Sequence, residues 1–350
     1  MVDEQTLLQQ VLDAYEHQHW EMVNRSGAGT NNTTRFIRMD GQAYVLRRYE
    51  THRDAAKVRY EHAVLQSLQQ LDLSVHTPVP IMNKQGHTYT ILAASDNQLA
   101  AIFTYTEGCN PKLETLDEVY GYGKAVGELS QALRRVELPL TPVYAPYYQI
   151  EASYPLCATD VLESFCLRPK PPFDAYAAEL TLIWTHYRTF TQLLPQLIEL
   201  PQQLVHGDVN RTNMLADAAG EICAILDFEF ATMDLRCMEV AVALTDIYLP
   251  AQPSHEMSQR VTEFMRGYTA HARLTMEEAA AIPHLFILRK LDVFLHFLSR
   301  YFDGVNDETL VIRCMSELAQ QLTTAEAGLL ELERLMLAFS DFSAPADASR

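Results

Sequence analysis

The sequence predicts an α+β fold of two lobes, in which a small antiparallel β-sheet lobe precedes a larger, mainly helical lobe. Two observations support this fold class. Residues 20–106 contain short segments rich in β-branched and aromatic residues, separated by turn residues, as in antiparallel strands. Beyond Pro111 the apolar residues recur at helical spacing. A chain of 350 residues, 48% of them hydrophobic, is long enough to build two cores.

The division of the chain follows from these patterns. We expect an amino-terminal lobe with a leading helix, then a hinge, a helical lobe and a flexible tail, spanning residues 1–103, 104–110, 111–340 and 341–350. Residues 4–19 carry apolar side chains at helical spacing, so the leading helix is predicted to be amphipathic. Its apolar face is expected to pack against the small lobe.

The first strands are predicted around a tight hairpin. Residues 34–39 and 43–49 flank Asp40-Gly41, a dipeptide that tolerates positive φ. A helix over residues 53–71 follows, and then two strands over residues 87–92 and 99–106, with Asp-Asn turn chemistry between them.

A loop that contains two glycines precedes this hairpin. It includes Ser26, Gly27, Gly29, Thr30 and Asn31. The backbone N–H groups and hydroxyls of such a loop suit phosphate binding. A flexible turn without a ligand is the alternative, because the motif by itself is weak.

The helical lobe is predicted from periodicity and helix caps. Helices are expected over residues 116–135, 172–194, 256–272 and 276–301, with two more near the end. Thr-x-x-Glu capping boxes at Thr275 and Thr323 mark two helix starts. Residues 139–171, rich in proline and tyrosine, are expected to be irregular.

The most informative feature is a pair of segments in the middle of the chain. Asp208 and Asn213 lie five residues apart, and Asp227 follows Asn213 by fourteen. The apolar runs 214–216 and 222–226, joined by a turn that ends in glycine, predict a hairpin that returns Asp227 beside Asn213. One carboxylate can accept a hydroxyl proton, and the amide and the second carboxylate can bind Mg²⁺. The pattern therefore predicts a phosphoryl-transfer site.

The residues of these two segments resemble the motifs of a known family. His206-Gly207-Asp208 stands in place of His-Arg-Asp, and Asp227-Phe228-Glu229 in place of Asp-Phe-Gly, as in the aminoglycoside phosphotransferase and choline kinase superfamily. The chain looks most like its homoserine-kinase-type branch. The resemblance implies a protein-kinase-like fold and O-phosphorylation of a small molecule that depends on ATP and Mg. A protein kinase is less well supported, because arginine is missing before Asp208 and no Ala-Pro-Glu segment follows Asp227.

The resemblance also implies roles for individual residues. Asp208 would be the base, and Asn213 and Asp227 the Mg ligands. Arg47 stands where the family has a strand cation that contacts phosphate, and Glu61 stands where a helix-borne glutamate pairs with that cation. A solvated Glu61 is the alternative.

Further roles follow from position in the same pattern. The hinge residues Thr104, Tyr105, Thr106 and Glu107 would present backbone groups to adenine. His206 is interpreted as a hydrogen-bonding organiser among the catalytic residues.

Two glutamates follow the second catalytic segment. Glu229 is expected to touch metal or substrate, or to support a residue that does. Glu239 is expected to cap the start of its own helix.

The acceptor site is predicted on the carboxy-terminal helices. Arg289, Asp292 and His296 are spaced three and four apart, so they share one helix face, and Asp246 on an earlier helix is a further candidate. Asp208 and Glu229 would face the same acceptor. The irregular segment 139–171 is expected to cover this pocket. A solvated charged face is the alternative.

Charge restricts the partners. The formal net charge is −18, from 27 basic and 45 acidic residues, so nucleic acid and anionic membranes are poor partners. A small, amine-bearing hydroxyl acceptor such as homoserine or an amino alcohol is favoured, although acidity also serves solubility. The six scattered cysteines predict reduced thiols, and the lack of a leader-like start predicts a cytoplasmic protein.

Other functions stay open at this point. A non-catalytic ATP-binding pseudokinase would not need the base Asp208. An aminoglycoside or sugar kinase of the same superfamily would use the same catalytic residues on another acceptor. A metal phosphohydrolase would not need the strand cation or the hinge.

Overall fold

The computed structural model describes residues 4–28, 32–50 and 54–341, and it confirms the predicted two-lobed α+β fold. The strands are β1 Trp20–Ala28, β2 Asn32–Met39, β3 Gln42–Tyr49, β4 Thr90–Leu92, β5 Gln98–Thr104, β6 Gln202–Val205, β7 Met214–Ala216, β8 Ile222–Ile225, β9 Thr232–Leu235, β10 Leu274–Thr275 and β11 Ser340–Asp341. The helices are α1 Glu4–Asp13, α2 Ala55–Leu68, α3 Leu116–Leu133, α4 Ile150–Ser153, α5 Thr159–Leu167, α6 Ala177–Leu197, α7 Met238–Leu244, α8 His255–Tyr268, α9 Met276–Phe302, α10 Glu308–Thr323 and α11 Glu326–Leu337.

The amino-terminal lobe is built on a five-stranded antiparallel sheet with the order β1-β2-β3-β5-β4. The predicted hairpin is confirmed, because Asp40 and Gly41 have φ of 49° and 86° and the strands pair from Met39 and Gln42 outward. Two consecutive positive φ values match the twist of the flanking strands. Strand β3 is central, so its residue Arg47 pairs with both neighbouring strands.

Helix α1 covers the outer face of this sheet. Its apolar face, formed by Leu7, Leu8, Val11 and Leu12, packs in one core cluster with residues of β2, β3 and β5. The helix is shorter than predicted and ends at Asp13. The backbone N–H groups of residues 18 and 19 instead bond to the Asp40 carboxylate in the hairpin turn.

The two lobes are joined by backbone pairing as well as by the hinge. After β5 ends, Cys109 and Ala216 of β7 exchange both backbone hydrogen bonds, at 3.0 and 2.8 Å. On the other side, the His76 N–H donates to Cys223 and the His76 carbonyl accepts from Ile225. The hairpin β7–β8 is therefore held from two directions.

Helix α9, 27 residues long, is the central helix of the larger lobe and contacts α6, α7, α10 and α11. Its predicted capping box is confirmed, with Glu278 N 3.2 Å from Thr275 Oγ1. The box predicted at Thr323 is wrong. Helix α10 continues through Thr323, whose hydroxyl donates to Ala319 O, and the residue before α11 makes no side-chain cap.

Residues 139–171 are only partly irregular, since they contain α4 and α5. Burial of Cys157 and Cys166 here raises the pKa of each thiol to about 12. All six cysteines are free.

Of the predicted tail, Asp341 belongs to β11, and residues 342–350 lie outside the described residues. Within the described part of the chain, no helix has the length and apolar character needed to cross a membrane.

Helices α3 and α8 pack with their backbones in contact through glycines. A Cβ added at Gly123 would overlap the Phe264 carbonyl, and one at Gly267 would overlap the carbonyl of Tyr120. This close approach positions α3 below the loop that carries Asp208, since Tyr122 of α3 bonds to Val209 O at 3.0 Å.

We therefore expect Gly123→Ala to lower the free energy of unfolding by about 1–3 kcal/mol or more, because the helices must move apart. Urea unfolding followed by circular dichroism measures this change. Gly121→Ala is the matched control in the same helix, since its Cβ would lie 3.9 Å from the nearest atom, Glu221 Oε2. It should be neutral or stabilising by up to about 1 kcal/mol. Equal destabilisation by both substitutions would contradict close helix packing.

Candidate active site

Side chains from both lobes converge in the cleft between them. Arg47 comes from β3 and Glu61 from α2, whereas Asp208 and Asn213 lie in the loop between β6 and β7. Asp227 lies two residues after the end of β8, where the predicted hairpin returns the chain, and has a left-handed φ of 65°. The structure thus brings together the five residues that the catalytic pattern singles out.

The loop that carries Asp208 is held by its own side chains. Asn213 Nδ2 donates to Asp208 O at 2.9 Å and to Asp208 Oδ2 at 3.0 Å. This orientation of the amide leaves Asn213 Oδ1 as its acceptor atom. The carboxylate of Asp208 is 20% exposed.

His206 ties the two catalytic segments together. Its Nδ1 accepts the Asp208 N–H at 3.1 Å, and its Nε2–H donates to Leu226 O at 2.9 Å. Burial lowers the pKa of His206, so the ring is neutral. Both ring nitrogens are engaged inside the loop, which suits an organiser and leaves no proton for exchange with a substrate.

The predicted ion pair of Arg47 is present and extends further than predicted. Arg47 Nη1 lies 2.9 Å from Glu61 Oε1 and 3.2 Å from Asp227 Oδ1. Burial by itself would lower the pKa of Arg47, but the two carboxylates raise it above its ordinary value, so the guanidinium stays charged. Tyr49 also donates to Glu61 Oε2 at 3.1 Å. One cation therefore positions both acids.

The pair Asn213 and Asp227 suits a hard divalent cation. Asp227 Oδ1 is buried and accepts no hydrogen bond from any described residue, despite its proximity to Arg47. Burial raises the pKa of Asp227, and Arg47 opposes this shift. Within the described ranges no group of three or more His, Cys, Asp or Glu side chains is arranged so that it could hold a metal ion by itself. A donor set of one carboxylate and one amide oxygen fits an ion such as Mg²⁺ that shares its ligands with phosphate.

Glu229 joins this centre to the start of β2. The side chain is buried, and its Oε2 accepts from Asn32 Nδ2 at 2.9 Å. Asn32 lies in the segment predicted to bind phosphate, but it was not chosen as a candidate site residue, and its contact with Glu229 was not foreseen. Of that loop, Ser26 and Gly27 pair with β2 through their backbones, whereas Gly29, Thr30 and Asn31 lie outside the described residues.

The predicted hinge divides into two parts. The Thr104 N–H donates to the carbonyl of Val79, in the segment between α2 and β4, at 3.0 Å. Contrary to the expectation for Thr104, this amide is therefore not free for adenine. Tyr105 packs edge-on against Phe36, with ring centroids 5.8 Å apart. Thr106 and Glu107 follow outside β5.

A cavity of about 570 Å³ opens at Asp208 on the side of α9. Arg289, Asp292 and His296 line it, as predicted, and tyrosines of the segment 139–171 line it as well. Arg289 Nη2 lies 2.5 Å from Asp208 Oδ1. This volume is in the usual range for small-molecule sites.

Sequence reasoning missed several residues of this cavity. Tyr147 OH donates to Gly207 O at 2.5 Å, and Tyr154 OH donates to Asp292 Oδ1 at 2.6 Å. Lys57 and Arg300 also line the cavity. The tyrosine-rich composition of residues 139–171 was the available signal for the first two.

Asp246 does not line the cavity, contrary to prediction. Its Oδ2 accepts from Arg211 N at 2.7 Å and from Tyr122 OH at 3.0 Å, beneath the loop that carries Asp208. The residue lies in the turn that follows α7, and not on a helix as expected. Asp246 therefore supports the loop from behind.

Glu239 also supports this loop. We expected it to cap its own helix α7, but its Oε1 instead accepts the N–H of Gly207 at 3.1 Å. Burial raises the pKa of Glu239 to about 7, and the N–H groups of Gly207 and His206 oppose this shift. The expectation was wrong because the helix start is packed against the catalytic loop.

Comparisons with known proteins agree with this geometry. A model of the phosphotransferase enzyme family matches residues 23–278. A homoserine kinase of Rhodopseudomonas palustris is 25% identical over 67% of this chain and 65% of its own length, slightly under two thirds of that protein. A homoserine kinase of Beijerinckia indica is 24% identical over 86% of this chain and 87% of its own.

Solved structures show the same fold. A microcompartment-associated aminopropanol kinase has a TM-score of 0.73 at 18% identity, covering 95% of this chain and 100% of its own. An amicoumacin kinase in complex with AMP-PNP, Ca²⁺ and Ami has a TM-score of 0.67 at 17% identity, covering 91% of this chain and 94% of its own.

The role of Glu239 can be tested through stability. We expect Glu239→Ala to lower the free energy of unfolding by about 1–3 kcal/mol, because buried N–H groups lose their acceptor. Glu239→Gln keeps an accepting oxygen and should lower the free energy of unfolding less than Glu239→Ala does. Chemical unfolding of both variants and of wild type at pH 5.5, 7 and 8.5 measures these differences.

The pH dependence has a definite sign. A folded pKa of about 7 for Glu239, above the ordinary value of 4.5, means that the folded protein binds this proton more tightly than the unfolded chain. Wild type should therefore lose stability relative to Glu239→Gln as pH rises from about 4.5 to about 7. A difference that does not change with pH would contradict this assignment.

Proposed function

This chain belongs to the phosphotransferase enzyme family, and from that premise we propose that it transfers the γ-phosphate of ATP to a hydroxyl of a small acceptor. One observation carries the proposal. Asp208, Asn213 and Asp227 meet where the cavity opens into the cleft between the lobes. A base, a pair of metal-binding oxygens and an acceptor site beside the base are what direct phosphoryl transfer requires.

The side chains of this chain divide the work as follows. Asp208 accepts the hydroxyl proton of the acceptor and aligns its oxygen for in-line attack. Arg47, held by Glu61, binds the nucleotide phosphates and stabilises the charge of the departing ADP. No covalent enzyme intermediate is needed.

Asn213 and Asp227 would hold Mg²⁺. When bound, the ion would neutralise part of the negative charge on the phosphate oxygens. The unsatisfied Oδ1 of Asp227 supports this assignment. Arg47 touches the same carboxylate, so it holds Asp227 in place before the nucleotide arrives.

For the acceptor, we propose an amine-bearing hydroxyl compound such as homoserine or an amino alcohol. The relatives support this choice, because they include homoserine kinases and an aminopropanol kinase. A non-catalytic nucleotide-binding protein is less well supported, since it would need no carboxylate at the position of Asp208. Release of ADP that depends on an added acceptor separates the two functions.

Asp208→Asn should still bind ATP, because the residue does not contact the nucleotide-binding cation Arg47. Turnover should fall by about 10²–10⁴, the usual contribution of a positioned base. Coupled ADP detection measures turnover, and calorimetry measures ATP binding. Asp217→Asn, in the exposed β7–β8 turn, is the control and should keep full activity. Unchanged turnover in Asp208→Asn would remove the proposed base.

Asp227→Ala should weaken ATP binding in the presence of Mg²⁺ and have less effect with EDTA, since the lost carboxylate is a proposed metal ligand. Titration calorimetry with and without Mg²⁺ measures this difference. Equal ATP affinity of Asp227→Ala and wild type in Mg²⁺ would count against the metal assignment.

A further inference from the structure

The cavity beside Asp208 runs along one face of helix α9. Arg289, Asp292, His296 and Arg300 line it at intervals of three and four residues. Arg300 follows Arg289 by eleven positions, which corresponds to about 16 Å along the helix axis. The cavity therefore has one end at Asp208 and another near Arg300.

Both carboxylates of the cavity are already compensated. Asp208 contacts Arg289 through Oδ1 and Asn213 through Oδ2. Asp292 accepts from Tyr154 through Oδ1, and its Oδ2 lies 3.3 Å from Arg289 Nη1. The two acids thus share the charge of one guanidinium. An ammonium group of an acceptor would meet no uncompensated carboxylate here.

The positive charges of Lys57 and Arg300, which also line the cavity, are compensated less completely. Lys57 lies 4.1 Å above the ring of Tyr144, and the nearby acids Asp54 and Glu229 partly offset its charge. Arg300 has only a long contact, 3.5 Å from its Nε to Asn306 Oδ1, and forms no ion pair with any described carboxylate. A guanidinium lining a cavity without a carboxylate partner is suited to bind an anion.

We propose that the acceptor carries an anionic group, a carboxylate or a phosphate, and that Arg300 binds it while the hydroxyl lies at Asp208. This inference rests on the proposed kinase function and narrows its acceptor. Arginine matches the planar, two-oxygen edge of such groups. Aromatic side chains between the two ends, including Tyr154 and Phe297, would contact the carbon skeleton.

An anionic group distinguishes the two acceptors that the names of the relatives suggest. Homoserine has a carboxylate, whereas aminopropanol has only an amine and a hydroxyl. The cavity charges favour the former chemistry and disfavour polycations. The formal net charge of −18 points the opposite way, but it describes the whole chain and not the cavity.

The test uses acceptors that differ in one group. 4-Hydroxybutyrate, 3-aminopropan-1-ol and butane-1,4-diol are similar short compounds with an anionic, cationic or neutral end, and homoserine carries both charges. 8-Hydroxyoctanoate and 8-aminooctan-1-ol repeat the comparison at greater reach, and glycerol 3-phosphate against glycerol tests phosphate. Coupled ADP detection with ATP and Mg²⁺ gives kcat and KM for each.

We expect anionic acceptors to have a kcat/KM at least about tenfold above the amino alcohol of equal length, at one length or both. Arg300→Gln should raise KM for the anionic acceptor by about tenfold or more and leave its kcat nearly unchanged. For the neutral diol, both kcat and KM should stay nearly the same. Arg313→Gln, which removes the same charge from an exposed position on α10, is the control and should behave as wild type. The split between KM and kcat distinguishes binding from a structural defect.

Two outcomes would overturn the inference and leave the kinase function standing. One is a kcat/KM for the amino alcohols that equals or exceeds the kcat/KM for the anionic acceptors. The other is an anion preference that Arg300→Gln does not reduce. If no acceptor releases ADP, the kinase proposal fails instead, and calorimetric binding of 8-hydroxyoctanoate to wild type and Arg300→Gln still decides the role of Arg300.

Discussion

The contact of Arg47 with Glu61 and Asp227 is the interaction on which the cleft depends. It joins the central strand of the sheet, the helix behind it and the residue two positions after β8, so one guanidinium connects the two lobes. Glu61 is buried, Arg47 is half-buried and the Asp227 side chain is 33% exposed, and the opposite charges compensate one another. The same contact leaves an Asp227 oxygen without a hydrogen bond, which is the feature that suits a metal ion.

The loop that carries Asp208 is held from behind by three parts of the larger lobe. His206 bonds to the backbone before Asp227, Glu239 accepts from Gly207, and Asp246 accepts from Arg211. None of these side chains needs to meet a substrate in order to matter. They restrict the loop to one conformation before anything binds, which is how positioned catalytic groups avoid the cost of ordering during the reaction.

The larger lobe places opposite charges in different parts of one cleft. Glu61, Asp227 and Glu229 lie on the side of Arg47, whereas Arg289 and Arg300 line the cavity on α9 together with Asp208 and Asp292. Arg289 contacts both Asp208 and Asp292, so the negative charges in this cavity are compensated. The proposed acceptor preference rests on this local arrangement and not on the net charge of the chain.

The sequence by itself determined the fold class, the hairpins, the capping box of α9 and the group Asp208, Asn213 and Asp227. Each of these depends on spacing or turn chemistry within about twenty residues, which is local enough to be visible in a pattern. The tertiary structure alone decided the partners of Glu239 and Asp246 and brought Tyr154 to Asp292, 138 residues away. Such contacts depend on how helices pack, and no local pattern encodes the distance between two faces that meet only after folding.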